Sequence, residues 1–183
     1  MTDTRHIDQA TTAMLRFERL LDAPVDRVWQ YLVDPELRAR WFMAGPTDAR
    51  VGGSIGLTMD HDRLSDRDAP TPERYRPYIG HSWSERITRC EPPHMLAFTW
   101  ENGDAGEVTI ELDDAGNDTT RLVLTHTGLR GRSDALNFGG GWHSHLAVLE
   151  RRIRGEGVED FWALHAKAEA LMAEMLPEDG GDR

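Results

Sequence analysis

Three times between Leu96 and His126 the chain alternates apolar and polar residues, and nothing else in it constrains the fold as tightly. Leu96, Phe98 and Trp100 share one face of an extended segment. Val108, Ile110 and Leu112 share a face of the next, and Leu122, Leu124 and His126 a face of the third. Successive side chains on a strand point to opposite sides, so a period of two marks strands with one buried face. Asn102-Gly103 and Asp114-Ala115-Gly116-Asn117 punctuate the three segments with turn residues. Short turns join antiparallel neighbours, so this stretch predicts an antiparallel meander.

The flanks supply the rest. Leu15 and Phe17 alternate with Arg16 and Glu18, which predicts an earlier strand. Pro24 suits a first helical turn, and Val25, Val28, Trp29 and Leu32 then form an apolar helical stripe. Asp34-Pro35 breaks this helix and starts a second, from Glu36 to about Phe42. Val51-Gly52-Gly53-Ser54 reads as a turn before alternating Ile55, Leu57 and Met59, and Trp83, Glu85 and Ile87 share a later strand face. The segment 60–78 is polar and carries three prolines, long for a loop in a compact domain, and predicts mobility or a lid. Beyond the glycines at 139–141, the stripe Trp142, His145, Leu146, Leu149, Ile153 predicts a long helix opening near Gly141. A further helix presents Phe161, Trp162, His165, Met172 and Met175 on one side, an apolar stripe that asks for a partner and predicts a homodimer through residues 158–176.

The expected order is a strand, two short helices, about six antiparallel strands and a long helix. That is an α+β layer in which a curved antiparallel sheet wraps the long C-terminal helix. The boundaries read as a loose arm at 1–12, a domain at 13–154, an additional helix at 155–176 and an acidic tail at 177–183. At 183 residues one domain is expected.

Charge and motifs exclude several function classes. A formal net charge of −11 disfavours nucleic acid and anionic membrane surfaces as partners. No apolar run approaches the ~20 residues of a membrane helix. A single cysteine, Cys90, cannot form an internal disulfide and fits a reducing compartment, and residues 1–12 lack the apolar core of a signal peptide, so a cytoplasmic location is expected. No phosphate-cradling loop, nucleophile elbow or Cys–His pair appears, so neither a cofactor nor a catalytic residue is expected. His143 and His145 are two apart, on different sides of a helix, where a helical metal pair needs a spacing of four.

Ala23-Pro24-Val25-Asp26-Arg27-Val28-Trp29, Asp34-Pro35-Glu36-Leu37 leading to Trp41-Phe42, and Val51-Gly52-Gly53 occur in an order that resembles a known superfamily. Glu91-Pro92-Pro93 running into Leu96 to Trp100, Leu124-Thr125-His126-Thr127-Gly128-Leu129 and Gly141-Trp142 with Leu146 complete the resemblance. It is to the START-related, birch-pollen-allergen-like superfamily, in its bacterial branch named for the activator of the 90-kDa heat-shock-protein ATPase. The resemblance spans roughly residues 13 to 154 and implies a helix-grip fold with a cavity between sheet and helix. Segment 60–78 and helix 158–176 depart from the minimal pattern.

Candidate pocket residues follow. Trp41 and Phe42 fall near the expected cavity mouth, as a lip or as a plug. Trp83, Trp100, Trp142 and Leu146 face inward, as pocket wall or as core. Glu85, His126 and His145 sit on apolar faces, as polar anchors for a ligand or as satisfied structural groups. The expected function is binding of a small hydrophobic or amphipathic molecule without catalysis. One alternative is a cyclase, hydratase or hydrolase using Glu85, His126 or His145 as acid or base. A second, implied only by the family name, is a chaperone-partner role.

Overall fold

The computed structural model describes residues 6–178 and contains one antiparallel sheet of seven strands. These are β1 (His6–Ala10), β2 (Met14–Leu21), β3 (Ser54–Thr58), β4 (Ser82–Glu91), β5 (Met95–Thr99), β6 (Glu107–Gly116) and β7 (Thr119–Thr127), in the order β1-β2-β7-β6-β5-β4-β3. The predicted meander forms β5, β6 and β7, with Phe98 opposite Val108 and Ile110 opposite Leu124. Irregular pairing between Ile87 and Arg89, and between Asp114 and Gly116, bends the sheet. Four α-helices complete the chain: α1 (Val25–Val33), α2 (Pro35–Arg38), α3 (Arg132–Ile153) and α4 (Phe161–Met175). The concave face holds α3, giving the α+β helix-grip architecture.

Local chemistry explains the short helices. Asp34 ends α1 and caps α2, its carboxylate accepting from the Glu36 and Leu37 backbone N–H groups at 2.9 Å, with Pro35 in the first turn. The buried Arg38 guanidinium then donates to the carbonyls of Met43, Gly45 and Gly56, tying the α2 exit to β3. It meets no carboxylate among these partners, and burial lowers its pKa to about 10. Gly45 and Gly56 permit this approach, since a Cβ at Gly45 would lie 2.5 Å from the Gly56 carbonyl oxygen.

Five expectations need correction. Five strands, not about six, follow the short helices. The second short helix stops at Arg38, and Trp41-Phe42 lies in the turn beyond it. The expected loose arm contains β1, which side-chain contacts hold in place: Asp8 pairs with the inward-facing Arg19 and lies 2.9 Å from His143 Nδ1, and His6 Nε2 lies 2.7 Å from Glu150. Residues 1–5 and 179–183 of the expected arm and tail lie outside the described residues.

The long helix starts at Arg132 rather than near Gly141, so the glycine triplet lies inside it. Glycine costs a helix interior about 0.5–1 kcal/mol relative to alanine. Here it lets α4 approach: a Cβ at Gly139 would meet Met172 Sδ at 2.6 Å, and one at Gly140 would meet Glu169 Cγ at 3.1 Å. The apolar stripe of α4 is accordingly covered by its own chain. Phe161, Trp162 and Met172 are buried and Met175 is half-buried, so a dimer is not needed to cover them.

Candidate functional site

A cavity of about 900 Å³ opens beside α3, large enough for a drug-sized molecule. Its walls differ in chemistry. The common sheet-and-helix framework supplies an apolar wall: Trp83 from β4, Trp100 after β5, Phe138 and Trp142 from α3, and Phe42 with Met43 from the turn after α2. The Trp142 ring lies 5.1 Å from that of Phe42 and 5.2 Å from that of Trp100. The opposite wall comes from segment 60–78 and α4, which contribute His61, Tyr75, Trp162, His165 and Glu169. Tyr78, 53% exposed, stands at the mouth.

Segment 60–78, expected to be mobile or to form a lid, is built into this wall. It contains two 3₁₀ turns, His61–Leu64 and Glu73–Tyr78. Asp66 anchors it, accepting from Arg152 at 2.9 Å and from the Val158 backbone at 2.6 Å, and Ser65 Oγ accepts from the Phe161 backbone at 2.9 Å. Tyr75 stacks on Trp162 with ring centroids 5.0 Å apart.

Hydrogen-bond partners assign the histidine tautomers. His145 Nδ1 lies 2.8 Å from the Trp41 carbonyl, which only accepts, so this nitrogen carries the proton. His145 Nε2 therefore accepts from His61 Nε2, 3.1 Å away. That leaves His61 Nδ1 a bare acceptor, buried and without a partner among the described residues, as is the Trp162 Nε1–H donor. Ser144 Oγ donates back to the Gly140 carbonyl at 2.8 Å, so it accepts from His165 Nδ1 at 3.1 Å. His165 Nε2 is then an acceptor facing the Tyr75 hydroxyl at 2.7 Å, and Glu169 Oε1 competes for the same hydroxyl proton at 3.0 Å.

Burial sets the charge states. It lowers the His61 pKa to about 4, with a smaller push from His165, and holds His145 well below the ordinary histidine range. His165 is lowered by burial against the opposing pull of Glu169. Burial, then Glu169, pushes the Tyr75 hydroxyl up to about 12. His61, His145 and His165 are therefore neutral near pH 7, and the Glu169 carboxyl lies against the Arg74 guanidinium.

Phe42, Trp83, Trp100, Trp142 and His145 line this cavity, as the sequence allowed. Trp41, Glu85, His126 and Leu146 do not. Trp41 is sealed in the core and donates its indole N–H to the Tyr31 carbonyl at 2.8 Å. Leu146 is fully buried in the core. Glu85 accepts from Trp83 Nε1 at 3.1 Å, Thr99 Oγ1 at 2.6 Å and the Asn102 backbone at 3.0 Å, so its carboxylate fastens the turn after β5. His126 donates from Nε2 to the Ala105 carbonyl at 2.8 Å and accepts at Nδ1 from Trp142 Nε1 at 3.1 Å, which satisfies both nitrogens. The three groups offered as acid or base are therefore not brought together in the cavity. His143 and His145 diverge as their spacing requires, one to Asp8 and the other to the Trp41 carbonyl. Cys90 donates to the Ala49 carbonyl at 3.3 Å, and burial raises its pKa away from a reactive thiolate.

The polar wall was missed as a site. His165 and Trp162 were visible on the α4 stripe, but only the fold-back of α4 sets them against His61 and Tyr75. The one usable signal was that both unusual segments carry histidine and aromatic residues, a composition suited to a cavity wall.

The model of the family described as activator of Hsp90 ATPase homolog 1-like protein matches residues 22–154. The chain belongs to this family. Among solved structures, this AHSA1-like chain is 39% identical to the protein encoded by gene BPP1335 of Bordetella parapertussis, over 99% of this chain and 91% of that one, with a TM-score of 0.75. It is 25% identical to CalU16 of Micromonospora echinospora, over 93% and 96% of the two chains, with a TM-score of 0.64. The Aha1 dimer of Colwellia psychrerythraea shares the fold, at 14% identity over 76% of this chain and 95% of that chain, with a TM-score of 0.57. No curated protein matches the sequence. The family match ends at residue 154, before α4, so the helix that completes the polar wall lies outside it. No helix among the described residues of this AHSA1-like chain is long and apolar enough to cross a membrane.

Proposed function

We propose that this protein binds one small, mostly apolar molecule in the cavity beside α3 and does not transform it. The observation that carries the reading is the cavity itself: about 900 Å³ of space faced by Trp83, Trp100, Phe138 and Trp142. Aromatic rings facing an open space of this size are wetted, and an apolar ligand removes that surface from water. Binding without turnover is supported by the occupied state of Glu85 and His126, each held by structural partners. This binding takes place in the cytoplasm, and a homodimer, if it forms, uses a surface other than the α4 stripe, which its own chain covers.

A neutral fluorescent probe, N-phenyl-1-naphthylamine, tests this. Saturable binding at one site per chain is expected. Gly141 lines the cavity, and a Cβ there would meet nothing within 4 Å. Gly141→Leu should therefore project into the cavity from a helical position and weaken the binding without lowering the thermal midpoint. Absence of saturable binding by the folded parent, or undiminished binding by Gly141→Leu, overturns the reading.

A further inference from the structure

We propose that the polar wall built by segment 60–78 and α4 selects a neutral ligand whose polar end is a hydrogen-bond donor, such as a hydroxyl on a fused-ring or aliphatic body. This rests on the cavity-binding reading and specifies the chemistry of its ligand.

Protons and lone pairs do not match along this wall: one donor, Trp162 Nε1–H, lacks an acceptor, and more than one acceptor lacks a proton. Tyr75 has one hydroxyl proton and two acceptors in reach, His165 Nε2 at 2.7 Å and Glu169 Oε1 at 3.0 Å. Whichever acceptor takes it, the other goes short. His165 Nδ1 cannot relieve the shortage, because its proton is committed to Ser144 Oγ. A second shortage stands beside the first, at the unpartnered His61 Nδ1, on a residue only 8% exposed. The His61 and Trp162 rings stack at 5.8 Å, and Trp162 stacks in turn on Tyr75, so both shortages belong to one continuous wall. Unpaired buried acceptors cost stability until a donor reaches them, and a ligand that brings one recovers that cost.

Charge decides between donors and against acids. Among the described residues lining the cavity, Arg74 is the cation, against the carboxylates of Glu101 and Glu169. Arg74 is already paired with Glu169, and Glu101 with Arg130 at 2.8 Å. A carboxylate ligand could take the Trp162 N–H but would bring no proton for the open acceptors and would stand beside two carboxylates, whereas a hydroxyl can accept from Trp162 and still donate. An ammonium ligand would bring donors, but both carboxylates already hold guanidinium partners, so its charge would be desolvated without a free counter-ion. A hydroxyl supplies the proton at no charge cost.

Four pyrenes of nearly equal size test this by direct fluorescence titration at pH 7.5: 1-hydroxypyrene, 1-methylpyrene, 1-pyrenecarboxylate and 1-pyrenemethylammonium. The parent protein should prefer 1-hydroxypyrene to each of the others by about tenfold or more, the scale of one hydrogen bond to a buried acceptor short of a donor. Two variants then move the preference in opposite directions. Glu169→Gln replaces one carboxylate oxygen with an NH2 that can donate to the open acceptors, so the preference for hydroxyl over methyl should fall to within about threefold, the loss of roughly one neutral hydrogen bond. Tyr75→Phe removes the wall's own donor while keeping the ring that stacks on Trp162, so the preference should persist or grow. A carboxylate or ammonium that binds as tightly as the hydroxyl overturns the proposal, as does a preference abolished in Tyr75→Phe or unchanged in folded Glu169→Gln. Failure of all four pyrenes to bind sinks the cavity reading itself, whereas binding without a hydroxyl preference sinks only this inference.

Discussion

Phe42 and Trp142 stack between two compartments that contain the same kinds of residue and end in opposite states. On one side Leu32, Trp41, Ile55, Leu96, Phe98 and Ile110 close around them and leave a void of only about 10 Å³. On the other side Trp83, Trp100 and Phe138 face a space of about 900 Å³. The packed side is closed by α1, which lies against β6 and β7, and by the turn after α2 that carries Trp41 and Phe42. The hollow side is closed at a distance by α4 and segment 60–78, which lean on α3 through its glycines and on each other through Tyr75, Trp162 and His165. Aromatic content alone therefore does not tell a core from a cavity. What tells them apart is whether the covering element rests on the sheet or on the central helix.

The largest expected effect tests that contrast in stability. Phe98 is 1% exposed on the packed side, and Phe98→Ala should cost about 3–5 kcal/mol, because a close-packed surround cannot collapse into the hole. Leu136 is half-buried on the cavity wall, and Leu136→Ala should cost about 1 kcal/mol or less, since its truncation enlarges a space that already exists. Urea denaturation of both variants gives the comparison. Equal losses would break it.

Acidification should act mainly through the polar wall. His61 and His145 are held neutral by burial, with His61 falling from 6.5 to about 4, and His165 is lowered in the same direction. Below pH 6.5 the unfolded chain takes up protons that the folded chain refuses, so unfolding becomes easier. For His61 the stability present above pH 6.5 is lost as the pH falls toward 4, by up to about 1.4 kcal/mol per pH unit, and His145 and His165 add to it with the same sign. Thermal midpoints measured from pH 7.5 to 4.5 should fall with that sign, and His61→Phe should flatten the curve. A flat parent profile would show that the polar wall is already open to water.

Smaller effects separate neighbouring glycines of α3. Gly139→Ala places a methyl group 2.6 Å from Met172 Sδ and should cost about 1–3 kcal/mol by forcing α4 away. Gly141→Ala points into open space and should stabilise by about 0.5–1 kcal/mol through helix propensity alone. The opposite signs, read by thermal unfolding, would show that α4 rests on Gly139 and not on the triplet as a whole.

Much of the framework was legible because its signals are local. Leu96, Phe98 and Trp100 alternate whether or not their partners are known, and Asp34-Pro35 stops one helix and caps the next within a few residues. A run of three glycines, by contrast, reads locally as a helix start, and only the closeness of Met172 and Glu169 explains why the helix runs through it. The polar sequence of β1 gives no strand signal, because its stabilising partners, Arg19, His143 and Glu150, are distant in the chain.

The site divides in the same way. By itself the sequence determined an antiparallel α+β fold, the inward faces of its strands and the divergence of His143 from His145, since each follows from a period or a spacing along the chain. Only the tertiary structure decided that Glu85 and His126 are structural groups, that Trp41 is core while Trp83 and Trp100 are wall, and that His61, Tyr75, His165 and Glu169 meet. Whether a buried polar atom is satisfied or left waiting depends on which distant atom comes within about 3 Å of it, and no pattern of neighbours along the chain carries that distance.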